Sequence, residues 1–492
     1  MTAQDAETAA PDLVVVSNRG PLSFSYNDDG ELEPRHGAGG LASAFQPLLR
    51  NTGVTWISGT VGDADREAAS NDLFKLDGAV LVPLAPDTHS YRMAYDVISN
   101  ATLWFLYHGL FDLARRPRFE RRWYEAWEHY REINNFFAAA VAERAPENAC
   151  VLVQDYHLSL MGARLREQRP DLRTVHFSHT PFCSPDEMRI LPGIIASELL
   201  GSLVQFDTCG FHTQRWADAF RDCCKRLDIV SRSGPGGSDA SHYSQHPPTR
   251  RSPSTFSASL SPDTGHLASI TASEACKKAL SALEHKIGDR KLILRVDRMD
   301  LSKNFLRGFL AYDELLHQEP ALRERVLFLA LAYTTRGNLA DYAGYRLEVN
   351  TLVNQINERW ATPGWTPIIL EVEDDLVGSV AALQRYDVLL VNPLRDGLNL
   401  VAKEGALVNT HSGVLVLSRE AGVFEELGDL AIEINPFDIS GTASAMSTAL
   451  QMDASDRLQH SSALRQRVTA QSNEAWLQRQ IAAASRVRKP AK

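Results

Sequence analysis

The chain has 492 residues, of which 44% are hydrophobic and 23% charged, and its formal net charge is −10. This acidic balance argues against a broad nucleic-acid or membrane-binding surface, which would need a basic excess, so we expect neither partner. No run of about 18 apolar residues is present to span a bilayer. The acidic start MTAQDAETAAPD lacks the features of a signal peptide, and we expect a cytoplasmic protein.

A chain of this length predicts two domains of roughly 200 residues each. In the first half, short apolar runs alternate with longer helical patterns, and they predict strands at 13–17, 55–58, 151–157, 173–179 and 203–211. Continuous apolar strands separated by helices are typical of a parallel sheet covered on both faces. We therefore expect an N-terminal Rossmann-like domain over residues 12–230.

A change in composition follows that domain. Residues 231–273 are rich in Ser, Pro and Gly and poor in aliphatic side chains. Such a stretch cannot bury a core of its own. We interpret it as a linker between two domains.

The alternation of strands and helices then resumes. It predicts strands at 291–298, 325–333, 367–372, 387–393, 413–418 and 430–435. These predict a second Rossmann-like domain over residues 274–465. The final segment, 466–492, places Trp476, Ile481 and Ala484 on one helical face, and we expect this helix to pack back on the N-terminal domain.

Ligands of doubly wound domains bind at the carboxyl ends of the strands, so polar residues found there are the candidates for a site. Arg19 follows the first strand, and the glycine-rich stretch HGAGGLASAF contains Gly39 and Gly40, whose backbone N–H groups could approach a phosphate. Asp155 and His179 each end a predicted strand, where a carboxylate and an imidazole can bind sugar hydroxyls.

The second half carries candidates for binding phosphate. Arg298 and Lys303 lie on one strand-to-helix loop, where two cations could neutralise a leaving diphosphate. Arg336 follows another strand and could hold a second phosphate. In VNPLRDGLNLVAKE, residues 391–404, a strand leads into a helix through Asp396 and Gly397. The helix that starts at Asn399 would direct its N–H groups toward a phosphate.

Taken together, these segments resemble the trehalose-6-phosphate synthase family, and in particular its actinobacterial members. The resemblance covers residues 12–230 and 285–487, through the segments SNRGP, GAGGL, SNATLWFLYH, QDYHL, FSHTPF, RVDRMDLSKN, YTTRGNLADY, TPGWTP and NPLRDGLNLVAKE. Members are retaining nucleotide-sugar glycosyltransferases. The resemblance implies an α/β fold of the GT-B type, with two Rossmann-like doubly wound domains facing across a catalytic cleft and a C-terminal helix returning to the N-terminal domain.

The resemblance also implies roles for individual residues. Glucose 6-phosphate would be held by Arg19, Tyr95, Trp104, Asp155 and Arg336, with the two arginines at its phosphate. The donor would be approached by Gly39 and Gly40 and its glucose bound by His179, while its diphosphate would be held by Arg298 and Lys303. The remaining donor contacts would come from Asp396 at the sugar hydroxyls, from the backbone of Gly397, Leu398, Asn399, Leu400 and Val401, and from Glu404 at the ribose. The residues expected at the reacting atoms are Asp155, His179, Arg298, Lys303 and Asp396.

The implied reaction is transfer of glucose, with retention, from a nucleotide-glucose to the anomeric hydroxyl of glucose 6-phosphate, in trehalose biosynthesis. No cofactor and no metal are expected, since Arg298 and Lys303 supply the positive charge. Asp374 could accept hydrogen bonds from N1 and N2 of guanine, which favours GDP-glucose over UDP-glucose as the donor. The chain could form a homo-oligomer.

Two alternatives stay open. A pseudo-glycosyltransferase of the same fold would couple cyclitols, although SNRGP and TTRGN keep the sugar-phosphate arginines. A sugar-phosphate-sensing homologue would bind substrates without turnover, because the segment 256–263 departs from the family pattern. Binding without product would favour the sensor.

Overall fold

The computed structural model describes residues 12–27, 29–36, 45, 53–227, 254–337 and 339–486. It divides into two compact units, Met1–Ser259 with Asn473–Lys492, and Leu260–Ser472. Each unit is built on one parallel sheet flanked by helices. No helix within these described ranges is both long enough and apolar enough to cross a membrane.

The sheet of the first unit has seven parallel strands in the order β5-β4-β1-β6-β7-β8-β9, and a separate antiparallel hairpin joins β2 to β3. Its central strands are apolar on both faces, as Val14, Val15 and Val16 of β1 show by being fully buried. The strands are β1 Leu13–Arg19, β2 Leu22–Tyr26, β3 Leu32–His36, β4 Val54–Gly59, β5 Ala79–Leu84, β6 Cys150–Gln154, β7 Arg173–Ser178, β8 Thr208–Phe211 and β9 Thr255–Ser257.

Helices and helical turns connect these strands. The described α-helices are α1 Asp63–Ser70, α2 Thr88–Arg92, α3 Trp104–His108, α4 Arg121–Arg144, α5 Met161–Gln168, α6 Pro185–Met188, α7 Gly193–Leu203 and α8 Gln214–Arg226. A π-helix, Met93–Leu103, separates α2 from α3, and a 3-10 turn spans Tyr156–Leu158.

The sheet of the second unit has six parallel strands in the order β12-β11-β10-β13-β14-β15. The strands are β10 Lys291–Arg298, β11 Val326–Tyr333, β12 Ile368–Val372, β13 Val388–Val391, β14 Val414–Ser418 and β15 Ile432–Ile434. The helices are α9 Thr264–Ala272, α10 Glu274–Ile287, α11 Phe305–Gln318, α12 Ala340–Trp360, α13 Leu376–Arg385, α14 Leu400–Val408, α15 Phe424–Leu427, α16 Ile439–Gln451 and α17 Ala454–Thr469. Short 3-10 turns span Leu301–Lys303, Pro320–Leu322 and Gly428–Leu430.

The last helix, α18 Asn473–Arg486, belongs to the first unit, where it packs on β6, β7 and β8. Its Trp476 is 1% exposed and lies with ring centroids 4.8 Å from Phe45 and 5.2 Å from Phe177. The predicted return of the C-terminal helix to the N-terminal domain is therefore confirmed. The apolar face built around Trp476 is the physical reason for it.

Several predicted boundaries differ from the structure. The predicted linker 231–273 was too long, because β9 adds an edge strand to the first sheet and α9 is already a helix of the second unit. Residues 228–253 lie outside the described part of the chain. The predicted terminal segment 466–492 began too early, since α17 extends to Thr469 within the second unit.

Candidate active site

Each sheet reverses its strand order at one point. In the first unit the chain runs outward from β1 through β4 to β5, then returns to the other side of β1 with β6. In the second unit the same reversal lies between β10 and β13. Such a switch point leaves a crevice at the carboxyl ends of the two strands, and this is where open α/β sheets bind ligands. Arg19 and Asp155 lie at the first point, and Arg298 and Asp396 at the second.

In the first unit, Arg19 ends β1 and Tyr95 lies in the π-helix. Nη2 of Arg19 donates to Oη of Tyr95 at 3.3 Å, and its Cζ is 5.9 Å from the centre of the tyrosine ring. That ring stacks between Tyr91 and His157, each with a centroid separation of 5.6 Å. π-helical turns are rare and occur often at functional sites. The structure thus brings an arginine and an aromatic stack together at the switch point.

Trp104, the first residue of α3, is also near this stack but is largely enclosed. Its side chain is 6% exposed, and its ring stacks on His108 at a centroid distance of 3.8 Å. Tyr156 packs against it at 6.0 Å. The indole therefore packs against Tyr156, and little of it is open to solvent.

Asp155 follows β6 with φ of +70°, a left-handed conformation that is uncommon for residues other than glycine. Its Oδ1 accepts the backbone N–H of His179 at 3.2 Å, and its Oδ2 lies 4.0 Å from Nδ1 of His157. Strained backbone of this kind persists where the surroundings hold it, commonly at functional sites. The structure thus brings together Asp155 and His179, each of which the sequence predicts at a strand end.

The imidazole of His179 has its two ring nitrogens bonded within the protein. Gln154 Nε2 donates to Gln480 Oε1 at 3.3 Å, so Gln154 Oε1 accepts from Nε2–H of His179 at 3.0 Å. Nδ1 of His179 then accepts from Nε2–H of His212 at 3.1 Å. Burial, with His212 and His176 adding to it, holds the pKa of His179 well below its ordinary value. The ring is therefore neutral, in a tautomer set by its partners.

In the second unit, Arg298 ends β10, and Lys303 ends the following 3-10 turn. Nζ of Lys303 lies 2.6 Å from Oδ2 of Asp396 and 3.4 Å from Oδ1 of Asp297. Burial would lower the pKa of Lys303, but Asp396 and Asp297 outweigh it and raise that pKa above its ordinary value. The lysine is therefore a charged ammonium at the switch point, and its contact with a diphosphate stays a prediction.

The loop from Asp396 to Asn399 is held by its backbone. Asp396 N–H donates to Glu420 O at 3.1 Å, and Val423 N–H donates to Leu398 O at 2.8 Å. Gly422 is required by this close approach, because a Cβ there would lie 2.0 Å from the carbonyl oxygen of Gly397. Gly397 and Leu398 are consequently buried against a neighbouring loop.

Asn399 begins helix α14 as predicted. Its side chain accepts the backbone N–H of Ala402 at 3.2 Å, and its φ is +82°. The helix itself covers Leu400, Val401 and Glu404. Because these first-turn N–H groups follow Asp396 directly, the arrangement has the form of an anion site at a helix N-terminus.

Glu404 lies one turn into α14 and carries an unusual carboxyl group. Burial raises its pKa to about 7, from an ordinary value near 4.3. A half-buried carboxylate of this kind gains from any ligand hydroxyl that donates to it.

Arg336 lies next to the 3-10 turn Leu301–Lys303. It is held there by Asp300 and Tyr342, to which the sequence alone assigned no role. Its Nη1 donates to Oδ2 of Asp300 at 2.6 Å and to Oη of Tyr342 at 2.9 Å. Asp300 is fully buried, and its other oxygen accepts the N–H of Ser302 at 2.9 Å. Asp300 thereby connects Arg336 to the turn that carries Lys303. The alternation of acids and bases in RVDRMD was a signal for these supporting carboxylates.

The remaining predicted residues are placed as follows. Asp374 is exposed just beyond the carboxyl end of β12. Gly39 and Gly40 lie outside the residues that the structure describes. Within the described ranges, no group of three or more His, Cys, Asp or Glu side chains is arranged to hold a metal ion.

Comparison with known proteins identifies the family. The profile of glycosyltransferase family 20 matches residues 11–486. A trehalose-6-phosphate synthase of Mycolicibacterium vanbaalenii is 32% identical over 481 residues, which cover 96% of this chain and 95% of that protein. A trehalose-6-phosphate synthase of Mycobacterium tuberculosis is 31% identical over 488 residues, with 96% and 95% covered.

Solved structures agree in fold. The trehalose-6-phosphate enzyme of E. coli bound with UDP-2-fluoro glucose superposes with a TM-score of 0.81 at 27% identity, covering 98% of this chain and 99% of that one. The UDP-forming synthase of Burkholderia xenovorans in complex with glucose-6-phosphate gives a TM-score of 0.79 at 27% identity, covering 96% and 100%. The predicted α/β fold of the GT-B type is confirmed. The chain belongs to glycosyltransferase family 20.

Proposed function

We propose that the protein is an α,α-trehalose-phosphate synthase that transfers glucose from a nucleotide-glucose to glucose 6-phosphate. The observation that carries this proposal is the charged cluster at the switch point of the second unit, where Lys303 lies between Asp297 and Asp396 and follows Arg298 closely. That cluster suits a diphosphate leaving group, and it occurs in a chain that matches the family along nearly its whole length.

In the proposed reaction, the bond from the glucose anomeric carbon to the phosphate oxygen breaks. A bond to the anomeric hydroxyl oxygen of glucose 6-phosphate forms on the same face, and the hydroxyl proton passes to the leaving phosphate oxygen. The products are a nucleoside diphosphate and trehalose 6-phosphate. Lys303 and Arg298 stabilise the charge that develops on the diphosphate, and the chain contributes positioning rather than a covalent intermediate. We propose that no metal and no other cofactor takes part.

The acceptor group of the first unit is proposed to consist of Arg19, Tyr95, Trp104 and Asp155, with Arg336 as a further acceptor residue. The contact between Arg19 and Tyr95 supports this assignment, because it presents a cation beside an aromatic stack at the switch point. His179 stays the predicted contact of the donor glucose.

The donor group is proposed to use the backbone N–H groups of residues 397–401 for phosphate and sugar, Asp396 for sugar hydroxyls and Glu404 for the ribose. The helix start at Asn399 supports the first role. Gly39 and Gly40 stay predicted donor contacts. A cytoplasmic location and a homo-oligomeric assembly also stay predictions.

We propose GDP-glucose as the preferred donor, although the E. coli relative was solved with a UDP-glucose analogue. The exposed carboxylate of Asp374 can accept from the adjacent N1–H and N2–H donors of guanine, an arrangement that uracil does not offer. Asp374→Asn should lower kcat/KM for GDP-glucose about tenfold and leave UDP-glucose use unchanged.

The test is incubation of the protein with glucose 6-phosphate and each nucleotide-glucose, with released nucleoside diphosphate and disaccharide phosphate both quantified. Formation of trehalose 6-phosphate, faster from GDP-glucose, is expected. Equal turnover of both donors, or faster use of UDP-glucose, contradicts the donor assignment. Substrate binding without product would instead favour a sensor, and activity only with cyclitol substrates would favour a pseudo-glycosyltransferase.

A further inference from the structure

Arg295 is a fully buried arginine on β10, three residues before Arg298. Its side chain is 0% exposed. Burying a guanidinium is costly unless every part of it is paired, so charged side chains are seldom enclosed without a structural or functional reason. Since the side chain has no access to solvent, Arg295 is not a ligand-binding residue itself. The reason for the burial of Arg295 must therefore lie in the groups that its side chain contacts.

The guanidinium of Arg295 holds the end of the turn that presents Lys303. Nη2 donates to the carbonyl oxygen of Lys303, and Nη1 donates to that of Asn304 at 3.3 Å. Its flat face lies on Phe305, with Cζ 3.9 Å from the ring centre. These contacts fix the backbone that directly follows the lysine side chain.

The same guanidinium neutralises a neighbour of the Lys303 ammonium. Nη2 of Arg295 donates to Oδ2 of Asp297 at 3.1 Å, while Oδ1 of Asp297 lies 3.4 Å from Nζ of Lys303. On its other side Nζ contacts Asp396 at 2.6 Å. Charges therefore alternate along the row Arg295, Asp297, Lys303, Asp396. Without Arg295, Asp297 would have Lys303 as its only close cation in this row and would draw the ammonium toward itself.

The surroundings leave room for this side chain and for little else. A Cβ on Gly308 would lie 2.9 Å from Nη1 of Arg295 and 3.3 Å from Nδ2 of Asn392. Asn392 accepts from Nη1 through its Oδ1 at 2.8 Å. Asn304 takes the left-handed φ of +62° and donates through Nδ2 to Asn392 O at 3.1 Å. Arg295, Asn304, Asn392 and Gly308 therefore pack together next to the 3-10 turn that carries Lys303.

We propose that Arg295 is a positioning residue for Lys303: it fixes the turn and neutralises Asp297, so that the ammonium stays available to the donor diphosphate. This inference rests on the proposed function in one respect, namely that Lys303 binds that diphosphate. It assigns a role to a residue that touches no substrate.

The test compares the affinity for a nucleoside diphosphate with that for the matching monophosphate, by titration calorimetry on the full chain. The probes are GDP with GMP and UDP with UMP. Arg295→Met should weaken diphosphate binding about tenfold and monophosphate binding less than about twofold, so the preference for the diphosphate falls. Arg295→Lys keeps the positive charge but loses the planar set of donors of the guanidinium. Its preference for the diphosphate should lie between those of Arg295→Met and the wild type.

Arg457→Met is the matched control. Arg457 is a second buried arginine of the same unit, and it donates to the carbonyl oxygens of Ala449 and Asp387 at 3.0 and 2.9 Å, at the amino end of β13. A merely structural loss should lower the melting temperature of both variants, but only Arg295→Met should change the preference for the diphosphate.

If Arg295→Met does not fold, Gly308→Ala displaces the guanidinium without removing it and should shift the preference in the same direction by a smaller factor. An unchanged preference in the folded Arg295 or Gly308 variant, or an equal loss in Arg457→Met, overturns the inference alone. A wild type that binds neither diphosphate overturns the proposed function and the inference together.

Discussion

At the scale of single residues, the candidate site is organised by pairing of charges rather than by isolated side chains. Lys303 lies between two carboxylates, and Arg336 lies against Asp300 and Tyr342. Each cation is held in place before any ligand arrives, which reduces the reorganisation needed when charge develops on a leaving group. The carboxyl of Glu404 differs, because burial raises its pKa.

Glu404 gives a prediction about pH. With its pKa at about 7, the carboxyl is increasingly protonated below neutrality and then accepts ribose hydroxyls poorly. The dissociation constant of the nucleotide-glucose, measured without acceptor, should rise about tenfold from pH 8 to pH 6. Glu404→Gln should bind more weakly at pH 8 and show little dependence on pH. A wild-type constant that stays flat over this range contradicts the assignment.

Arg298 gives a prediction about rate. Its charge is needed most as the diphosphate leaves, so Arg298→Ala should lower kcat by about two to three orders of magnitude at saturating donor, with a smaller change in donor KM. Arg336→Ala is the comparison, because it should raise the KM for glucose 6-phosphate. Steady-state kinetics with both substrates varied separates the two. An unchanged rate for Arg298→Ala at saturating donor would rule out its role.

The sequence identified most charged members of the site but few of their partners. Arg19, Asp155, Arg298 and Asp396 could be predicted because they stand at the ends of apolar runs. The bond between Gln154 and Gln480 joins residues 326 positions apart, and no local pattern indicates it. Such partners become visible only once the strands are packed, because tertiary contacts choose them.

At the scale of elements, the apolar runs located most strands of both sheets, while short or edge strands escaped. β9 has three residues in a Ser- and Thr-rich segment, and it is a strand because β8 offers it an unpaired edge. The predicted strand 203–211 was wrong in its first half, where helix α7 continues to Leu203 and a turn precedes β8. Leucines on a buried helical face and leucines in a buried strand look alike in a short window.

The helix α18 gives a prediction about stability. Trp476→Ala removes a side chain enclosed by Phe45 and Phe177, and this should cost about 3–5 kcal/mol of unfolding free energy. Gln478→Ala, on the exposed side of the same helix, should change it by less than about 0.5 kcal/mol. Urea unfolding followed by circular dichroism and tryptophan fluorescence measures both. Equal stability of the two variants would mean that the helix does not hold the first unit together.

At the scale of the whole molecule, two doubly wound units could be predicted from length and alternation alone, because parallel sheets need long apolar strands and crossover helices. The positions of the two switch points could not be predicted from the sequence, because strand order is set by pairing between distant segments. β10, for instance, lies between β11 and β13. Among the described residues that the resemblance assigns to ligands, Arg19, Asp155, Arg298 and Asp396 nevertheless lie beside those points.

Binding of a nucleoside diphosphate should therefore slow hydrogen exchange in one short segment of the chain. Hydrogen exchange of the full chain with GDP or UDP should show the strongest added protection in amides of residues 397–401, because those N–H groups would bind the phosphates. Lys303→Met at the same nucleotide concentration is the control and should lose most of that protection. Protection elsewhere, with none in this segment, would place the diphosphate at a different site.

The first unit is assembled from both ends of the described chain, since α18 packs on β6, β7 and β8 while the second unit occupies the sequence between them. On the ribosome, the segment that carries Trp476 emerges only after the whole second unit has been made. Part of the apolar surface of the strands near Phe177 therefore stays uncovered while some 200 further residues are synthesised at about 5–20 residues per second. The second unit can finish folding first, although it is translated second, and premature release of the nascent chain would leave a first unit that lacks its closing helix.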